Sequence, residues 1–380
     1  MTVFKTIDDD GTPVRVILVG AGAMGRNWLE VLRASPDVSL VGLVDLDVEL
    51  SRRVVIEAKL DGVVVGRSVT EVAAQTAAQA VVNVTIPAAH YPVNVEALFG
   101  GLPVLCEKPI APTVSQALAL AAAAEAAGQL LMTSQSRRYY RTLAAFRQAV
   151  GTLGRVGFVT TDFFRGPHFG GFREEMDQPL LVDMAIHAFD AARYLLGTEP
   201  RSVQCETFNP EWSWYRGDAA AIATFQFDDG SRYLFNGSWC SEGVETSWNG
   251  SWRVSGSAGT AVWDGEGGPV VESAPSTISD EVSPGSLDDA PEELAGALSE
   301  FVRSLRTGTT PSGEVRSNIF SLAMVEAAVL SAASGDRVII DAVLEDAYSH
   351  ARSTETHESI RAVLEGWGSA RGGLALQDQS

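Results

Sequence analysis

An acid and an imidazole, Asp183 and His187, interrupt the apolar run LLVDMAIHAFDAARYLL (180–196) four residues apart. On a helix that step brings both side chains to one face. An imidazole with an ordinary pKa of roughly 6.5 takes a proton from a hydroxyl near neutrality and returns it. A carboxylate beside it orients the ring or holds a neighbouring substrate hydroxyl. Cys106-Glu107-Lys108-Pro109, where a strand-like segment ends, adds an ammonium that stabilises a developing alkoxide. A histidine as general base, a lysine as electrostatic partner and an aspartate as orienter suit the oxidation of a secondary alcohol, and Lys108 and His187 are interchangeable in the proton role. Locally, Asp183 and His187 also fit a helix start with a satisfied histidine, and Lys108 fits a surface lysine beside its glutamate. The chemical reading needs a hydride acceptor.

The first strand-like run, VRVILVG (14–20), leads into Gly20-Ala21-Gly22-Ala23-Met24-Gly25 and then a helical pattern. In that context GxGxxG reads as a dinucleotide turn. The first glycine permits the turn, the second lets backbone approach a pyrophosphate, and the third lets helix and strand pack closely. The helix start offers N–H groups to the phosphates. Asp45 lies twenty residues after Gly25, at the end of the second strand-like segment, SLVGLVD. A carboxylate there accepts from ribose hydroxyls and repels a 2′-phosphate, which favours NAD over NADP. Asp47 is an alternative for the same role.

These residues need a frame to hold them. AVVNVTI (80–86), PVLCEKP (103–109) and QLLMTSQS (129–136) continue the strand–helix alternation, which predicts a parallel sheet with helical crossovers. Beyond residue 137 the segments become aromatic and β-branched, with hairpin signals at DDG (228–230) and SAG (257–259). The expected fold is α/β. Residues 12–136 form a doubly wound Rossmann domain, and 137–341 an α+β domain with a large, mostly antiparallel open sheet. Residues 342–380 form a polar helical tail. The acidic stretch SAPSTISDEVSPGSLDDAPEE reads as a connection to two helices.

With 28 basic and 48 acidic residues, the net charge of −20 disfavours nucleic acid and anionic membrane as partners. Three dispersed cysteines, without CxxC, fit a reducing compartment and no metal site. The polar, acidic N-terminus does not resemble a secretory signal, and the longest apolar candidate, QALALAAAAEAAGQLLM, contains Glu125 and breaks at Gly128. A cytoplasmic protein is expected.

In order along the chain, GAGAMG, IPAAHYPVNVEALFGGLPVLCEKPIA and LLVDMAIHAFDAARYLLG resemble the Gfo/Idh/MocA oxidoreductases, through about residue 335. The resemblance implies that Lys108 lies near the nicotinamide and the substrate hydroxyl. It implies that Asp183 and His187 are the Asp-x-x-x-His pair of the inositol dehydrogenases, with the histidine as acid/base. It implies that His90, in the loop after the fourth long strand, sits beside the cofactor. Gly20, Gly22, Ala23, Met24, Gly25, Asp45, Ile86, Pro87, His90, Glu107 and Lys108 make up the expected cofactor-binding set. MDQPLL departs from the glycine-rich stretch that often precedes the family's aspartate, which puts the pocket's shape in question.

Arg138 after the closing strand, and Arg165 and His168 in the glycine-rich loop RGPHFGGFR, join Lys108, Asp183 and His187 as candidate substrate contacts. Asp190 and Arg193 read as a structural pair. Of the six tryptophans between 212 and 263, Trp212, Trp214 and Trp239 are candidates for a pocket or subunit interface. In this family the open face of the large sheet commonly meets another subunit, which implies a homodimer or homotetramer. The expected activity is NAD-dependent oxidation of a polyol, inositol or sugar. The alternatives are an NAD-requiring glycoside-cleaving enzyme without net redox change and a non-catalytic sugar-sensing regulator.

Overall fold

A computed structural model describes residues 4–274 and 290–375. The chain divides into two compact units, one of residues 1–136, 291–319 and 344–380, the other of 137–290 and 320–343.

The first unit is built on a six-stranded parallel sheet. In chain order it runs β1 Val14–Val19, α1 Ala23–Ala34, β2 Val38–Val44, α2 Val48–Glu57, β3 Val64–Gly66, α3 Val69–Thr76, β4 Ala80–Asn83, α4 Pro87–Phe99, β5 Val104–Glu107, α5 Val114–Ala127 and β6 Leu131–Ser134. The strand order is β3-β2-β1-β4-β5-β6, so the sheet reverses direction of growth between β1 and β4. Val16–Val19 pair with Ala80–Asn83 there, and all of these residues are buried. The carboxyl ends of adjoining strands at such a switch point form the crevice in which α/β sheets bind ligands. β3 is absent from the sequence reading because three residues leave too little periodicity to detect.

The second unit carries α6 Arg141–Gly151, β7 Val156–Phe164, α7 Ile186–Leu196, β8 Pro200–Phe208, β9 Ala220–Phe227, β10 Arg232–Ser238, β11 Ser251–Gly256, β12 Gly259–Trp263 and β13 Val270–Ser273. Next along the chain come α8 Glu293–Thr307, α9 Val315–Ser334, β14 Val338–Ile339, α10 Ile340–Thr354, α11 Glu358–Gly366 and α12 Ala370–Leu374, of which α8, α11 and α12 belong to the first unit. The eight strands form one sheet, β13-β12-β11-β7-β10-β9-β8-β14, antiparallel at every pair except β7 with β10. Both expected hairpins form, β9–β10 at DDG and β11–β12 at SAG.

Two features differ from the sequence reading. The last residues are not a separate tail, because 344–380 belong to the first unit, where α11 packs along α5. That contact explains the alanine run of α5: Ala117 to Ala124 are all buried, and only small side chains fit a helix covered this closely. Secondly, α9 has a mean hydropathy of 1.3 over eighteen residues, high enough for a membrane span, and is 61% buried inside the fold as a core helix. Most of the acidic connection lies outside the described residues.

Candidate active site

At the end of β1 the three glycines behave as three different residues. Gly20 has φ +109°, in the left-handed region open to glycine, and a Cβ there would lie 2.9 Å from the Val84 carbonyl oxygen. At Gly25 a Cβ would lie 2.0 Å from the Gly20 carbonyl oxygen, so α1 can only meet the turn this closely without one. At Gly22 nothing lies within 4 Å of a Cβ position, and the glycine faces open space. It also caps α1 without any side-chain hydrogen bond, which leaves the helix start to an external acceptor. Met24, Leu46 and Ile86 follow β1, β2 and β4 and are exposed at 41%, 75% and 71%. Exposed apolar side chains round a bare glycine turn are what flat nucleotide rings and a pyrophosphate require. The residues present therefore fit NAD. Leu46 was overlooked because exposure, its distinguishing property, is invisible in sequence.

Asp45 has a second task. Its Oδ2 accepts the Ala21 N–H at 2.8 Å and its Oδ1 the Asp47 N–H at 2.9 Å, so the ribose candidate also braces the glycine turn. Asp47, the alternative, also has a task of its own: its Oδ1 accepts the Leu50 N–H at 3.0 Å as the cap of α2.

Glu107, expected among the cofactor contacts, is instead a buried strut. Its Oε1 accepts the Trp28 indole N–H at 2.7 Å and its Oε2 the Lys108 N–H at 3.1 Å. Burial raises its pKa above the usual carboxylate range, against the pull of Trp28 and Lys108. Lys108 itself is half-buried and is followed by a cis peptide to Pro109.

His90 also departs from expectation. It lies within α4 and not in a loop, and it is fully buried. Nδ1 lies 2.7 Å from the Pro109 carbonyl oxygen and Nε2 3.0 Å from that of Thr85, so both ring nitrogens face backbone and neither faces the crevice. The cofactor-contact assignment is corrected for this residue. Pro87, at the first position of α4, and Ile86, its cap, remain exposed.

In the second unit Asp183 sits in a π-helical turn, Leu180–Ala185, which runs directly into α7 carrying His187. The i→i+5 turn is wider than an α-helical one, so a four-residue step falls short of the stacking expected for a uniform helix. Asp183 Oδ2 accepts from Arg173 Nε at 2.7 Å, across the loop that precedes the turn. Within the loop RGPHFGGFR it is thus Arg173 that reaches Asp183, a pairing for which the sequence carries no signal. His187 is half-buried and, with Arg137, Asn249, Trp252 and Trp263, lines a small cavity over the sheet.

Three substrate candidates are occupied structurally. Arg138 makes a two-pronged ion pair with Asp190 (Nε–Oδ2 2.6 Å, Nη2–Oδ1 2.7 Å), and both side chains are almost fully buried. Burial opposes the Asp190 charge, but Arg138, then Arg193 and the Ser321 hydroxyl, outweigh it and hold the carboxyl below its usual range. Arg193 reaches Asp190 only at 3.8 Å and is forked to Glu199 at 2.6 Å, so Asp190 pairs first with Arg138. Arg165 donates to the Thr246 carbonyl at 2.9 Å, pairs with Glu245 at 3.1 Å and lies over Trp248. His168, exposed, bonds Glu242 at 3.1 Å and stacks on Trp214 with centroids 3.9 Å apart. Trp239 is buried against Phe169 and Tyr215, while Trp212 is exposed.

Two family models match the chain: the oxidoreductase family with NAD-binding Rossmann fold over residues 14–135, and the GFO/IDH/MocA C-terminal domain over 143–262. The chain is 32% identical to Inositol 2-dehydrogenase 4 of Saccharopolyspora erythraea over 194 residues, 50% of this chain and 56% of that protein. It is 27% identical to D-apiose dehydrogenase of Paraburkholderia graminis over 84% of this chain and 88% of that one. An oxidoreductase from Agrobacterium radiobacter, crystallised with NAD+, L-tartaric acid and magnesium, shares the fold with a TM-score of 0.75 and 21% identity, covering 88% of this chain and 100% of that one. The chain belongs to the Gfo/Idh/MocA oxidoreductases and is an NAD-binding enzyme of that family.

Proposed function

We propose that this enzyme oxidises a secondary hydroxyl of a polyol, inositol or sugar. The observation that carries the reading is a dinucleotide turn with an open Gly22 and Asp45 beside it, in a chain that also bears Lys108, Asp183 and His187. Bound nicotinamide supplies the hydride acceptor. His187 takes the hydroxyl proton, Lys108 stabilises the oxygen as it loses that proton, and Asp183 holds the histidine or a neighbouring hydroxyl. Relatives named for inositol and apiose oxidation support a polyhydroxylated substrate.

Four cationic candidates of the second unit are taken up by acids of the protein itself. Arg138, Arg165, His168 and Arg173 each face a carboxylate partner, which is a poor setting for recruiting an anion. We further propose a cytoplasmic protein, on the strength of three buried free thiols. We also propose a homo-oligomer formed through the outward residues Phe158, Ile222 and Leu234 of the large sheet; light scattering at micromolar concentration reads its mass. A reduction screen of NAD and NADP against inositols, aldoses and sugar acids tests the activity. No turnover on any of them, with NAD binding unaltered in Lys108→Ala, would sink it.

A further inference from the structure

Two fully buried polar residues of α4, His90 and Asn94, one turn apart, face the loops that leave the carboxyl edge of the parallel sheet. On the β4 side, Asn83 Oδ1 accepts the Thr85 N–H at 3.2 Å and the Thr85 hydroxyl at 2.8 Å, and its amide donates to Asn94 Oδ1 at 2.7 Å. On the β5 side, the Lys108 N–H is held by Glu107. The His90 ring lies between the two sides, Nε2 3.0 Å from the Thr85 carbonyl oxygen and Nδ1 2.7 Å from that of Pro109. Thr85 precedes Ile86 and Pro109 follows Lys108, so the ring stands between the two backbone segments that carry these side chains.

Both partners are acceptors, and a neutral imidazole has one N–H to give. Given to the closer oxygen, that of Pro109, it ties α4 to the loop after Lys108, and Nε2 then faces the Thr85 oxygen without a hydrogen bond. A buried polar network exacts a desolvation cost that well-packed apolar side chains would avoid, and what it returns is a single geometry. The geometry in question is that of the loop bearing Lys108.

We propose that His90 is a positioning residue for Lys108, acting as a cross-brace through the Pro109 carbonyl. The inference rests on Lys108 serving the reaction as described under the proposed function. It separates His90 from the cofactor contacts: the residue orders the loop and does not touch the ligand.

His90→Phe keeps a ring and removes the donor, whereas His90→Gln and His90→Asn keep one. In the full-length enzyme with NAD and its best polyol, kcat falls about 10- to 100-fold in His90→Phe, the scale of a small misplacement of a reacting group. NAD affinity, read by titration, stays within about twofold, and at least one of the amide variants recovers most of kcat. Hydrogen exchange at the Ile110 and Ala111 amides, measured without substrate, speeds up in His90→Phe and is restored in the same amide variant. Should His90→Phe not fold, the two amide variants and their loop exchange carry the comparison. Parent-like kcat and loop exchange in His90→Phe would overturn the proposal. So would a loss of NAD affinity equal to the loss in kcat. If the parent oxidises no polyol or sugar, the dehydrogenase reading fails while loop exchange still decides the brace.

Discussion

Arg173 and Asp183, ten residues apart in sequence, meet as an ion pair at 2.7 Å that ties the loop RGPHFGGFR to the π-helical turn before α7. Gly170 and Gly171 both take positive φ just before it, and the Arg173 guanidinium also lies over the rings of Phe169 and Phe172. Asp183 is thus set by a loop as well as by its helix.

Replacing Arg173 by alanine should lower kcat/KM for the polyol about 10- to 100-fold, the usual loss for one charged hydrogen bond, while NAD affinity is unchanged. The pair is partly exposed, so the melting temperature should hardly move. Steady-state kinetics beside a thermal melt check both halves; an unchanged kcat/KM would detach Arg173 from the site.

The glycines should separate cleanly. Gly22→Ala should fold like the parent and bind NAD at least about tenfold more weakly, because its new methyl fills open space meant for backbone approach. Gly25→Ala should lose about 1–3 kcal/mol or more of stability, since its Cβ would collide with the Gly20 carbonyl. Melts and NAD titrations on the two proteins should therefore give opposite patterns.

For Asp45→Ala the expectation is compound. Discrimination against NADP should relax by about tenfold or more, and NAD binding should weaken as well, because the Ala21 and Asp47 amides lose their acceptor. Asp45→Asn keeps an acceptor for one of these amides and should retain more NAD affinity at equal loss of discrimination. Identical NAD-to-NADP ratios in parent and variants would show that Asp45 is not the ribose residue.

Arg138→Ala should cost about 3–5 kcal/mol by leaving Asp190 charged and buried, without a specific effect on KM for substrate in whatever enzyme remains folded. Denaturant unfolding measures the first effect, and kinetics at low temperature the second.

Stability should also fall on mild acidification. Burial depresses the His90 pKa below 6.5, despite the opposing pull of the Pro109 and Thr85 carbonyls. A depressed folded value means the unfolded chain binds the proton first, so the contribution is complete above pH 6.5 and is lost as pH falls toward the folded value. The slope of unfolding free energy against pH below 6.5 should be shallower in His90→Gln; equal slopes would contradict a buried neutral ring.

The cofactor half of the molecule was legible because its demands are local. A turn that needs glycine at Gly20 and Gly25, and an acid at the end of the next strand, leave their mark within some thirty residues. Long-range pairings left none. Nothing near Glu107 announces Trp28, 79 residues away, or near Arg138 announces Asp190, 52 away, so a buried strut and one half of a buried ion pair read as ligand contacts. The four-residue spacing of Asp183 and His187 was visible, but the turn between them is π-helical, and the sequence carries no signal for that widening. His90 shows a third limit: its position in the chain was informative, whereas the direction its ring faces was set by tertiary packing.

The return of residues 291–319 and 344–380 to the first unit bears on how the chain is made. A ribosome delivers the dinucleotide turn early, yet the helix that lies along α5 emerges only after the strands of the second unit, with Trp367 closing on Glu125 across 242 residues. Until then the alanine-lined flank of α5 stands bare. The unit that begins first is therefore completed after the second, and a nascent chain stalled before α11 would hold a turn of the right shape on an unfinished core.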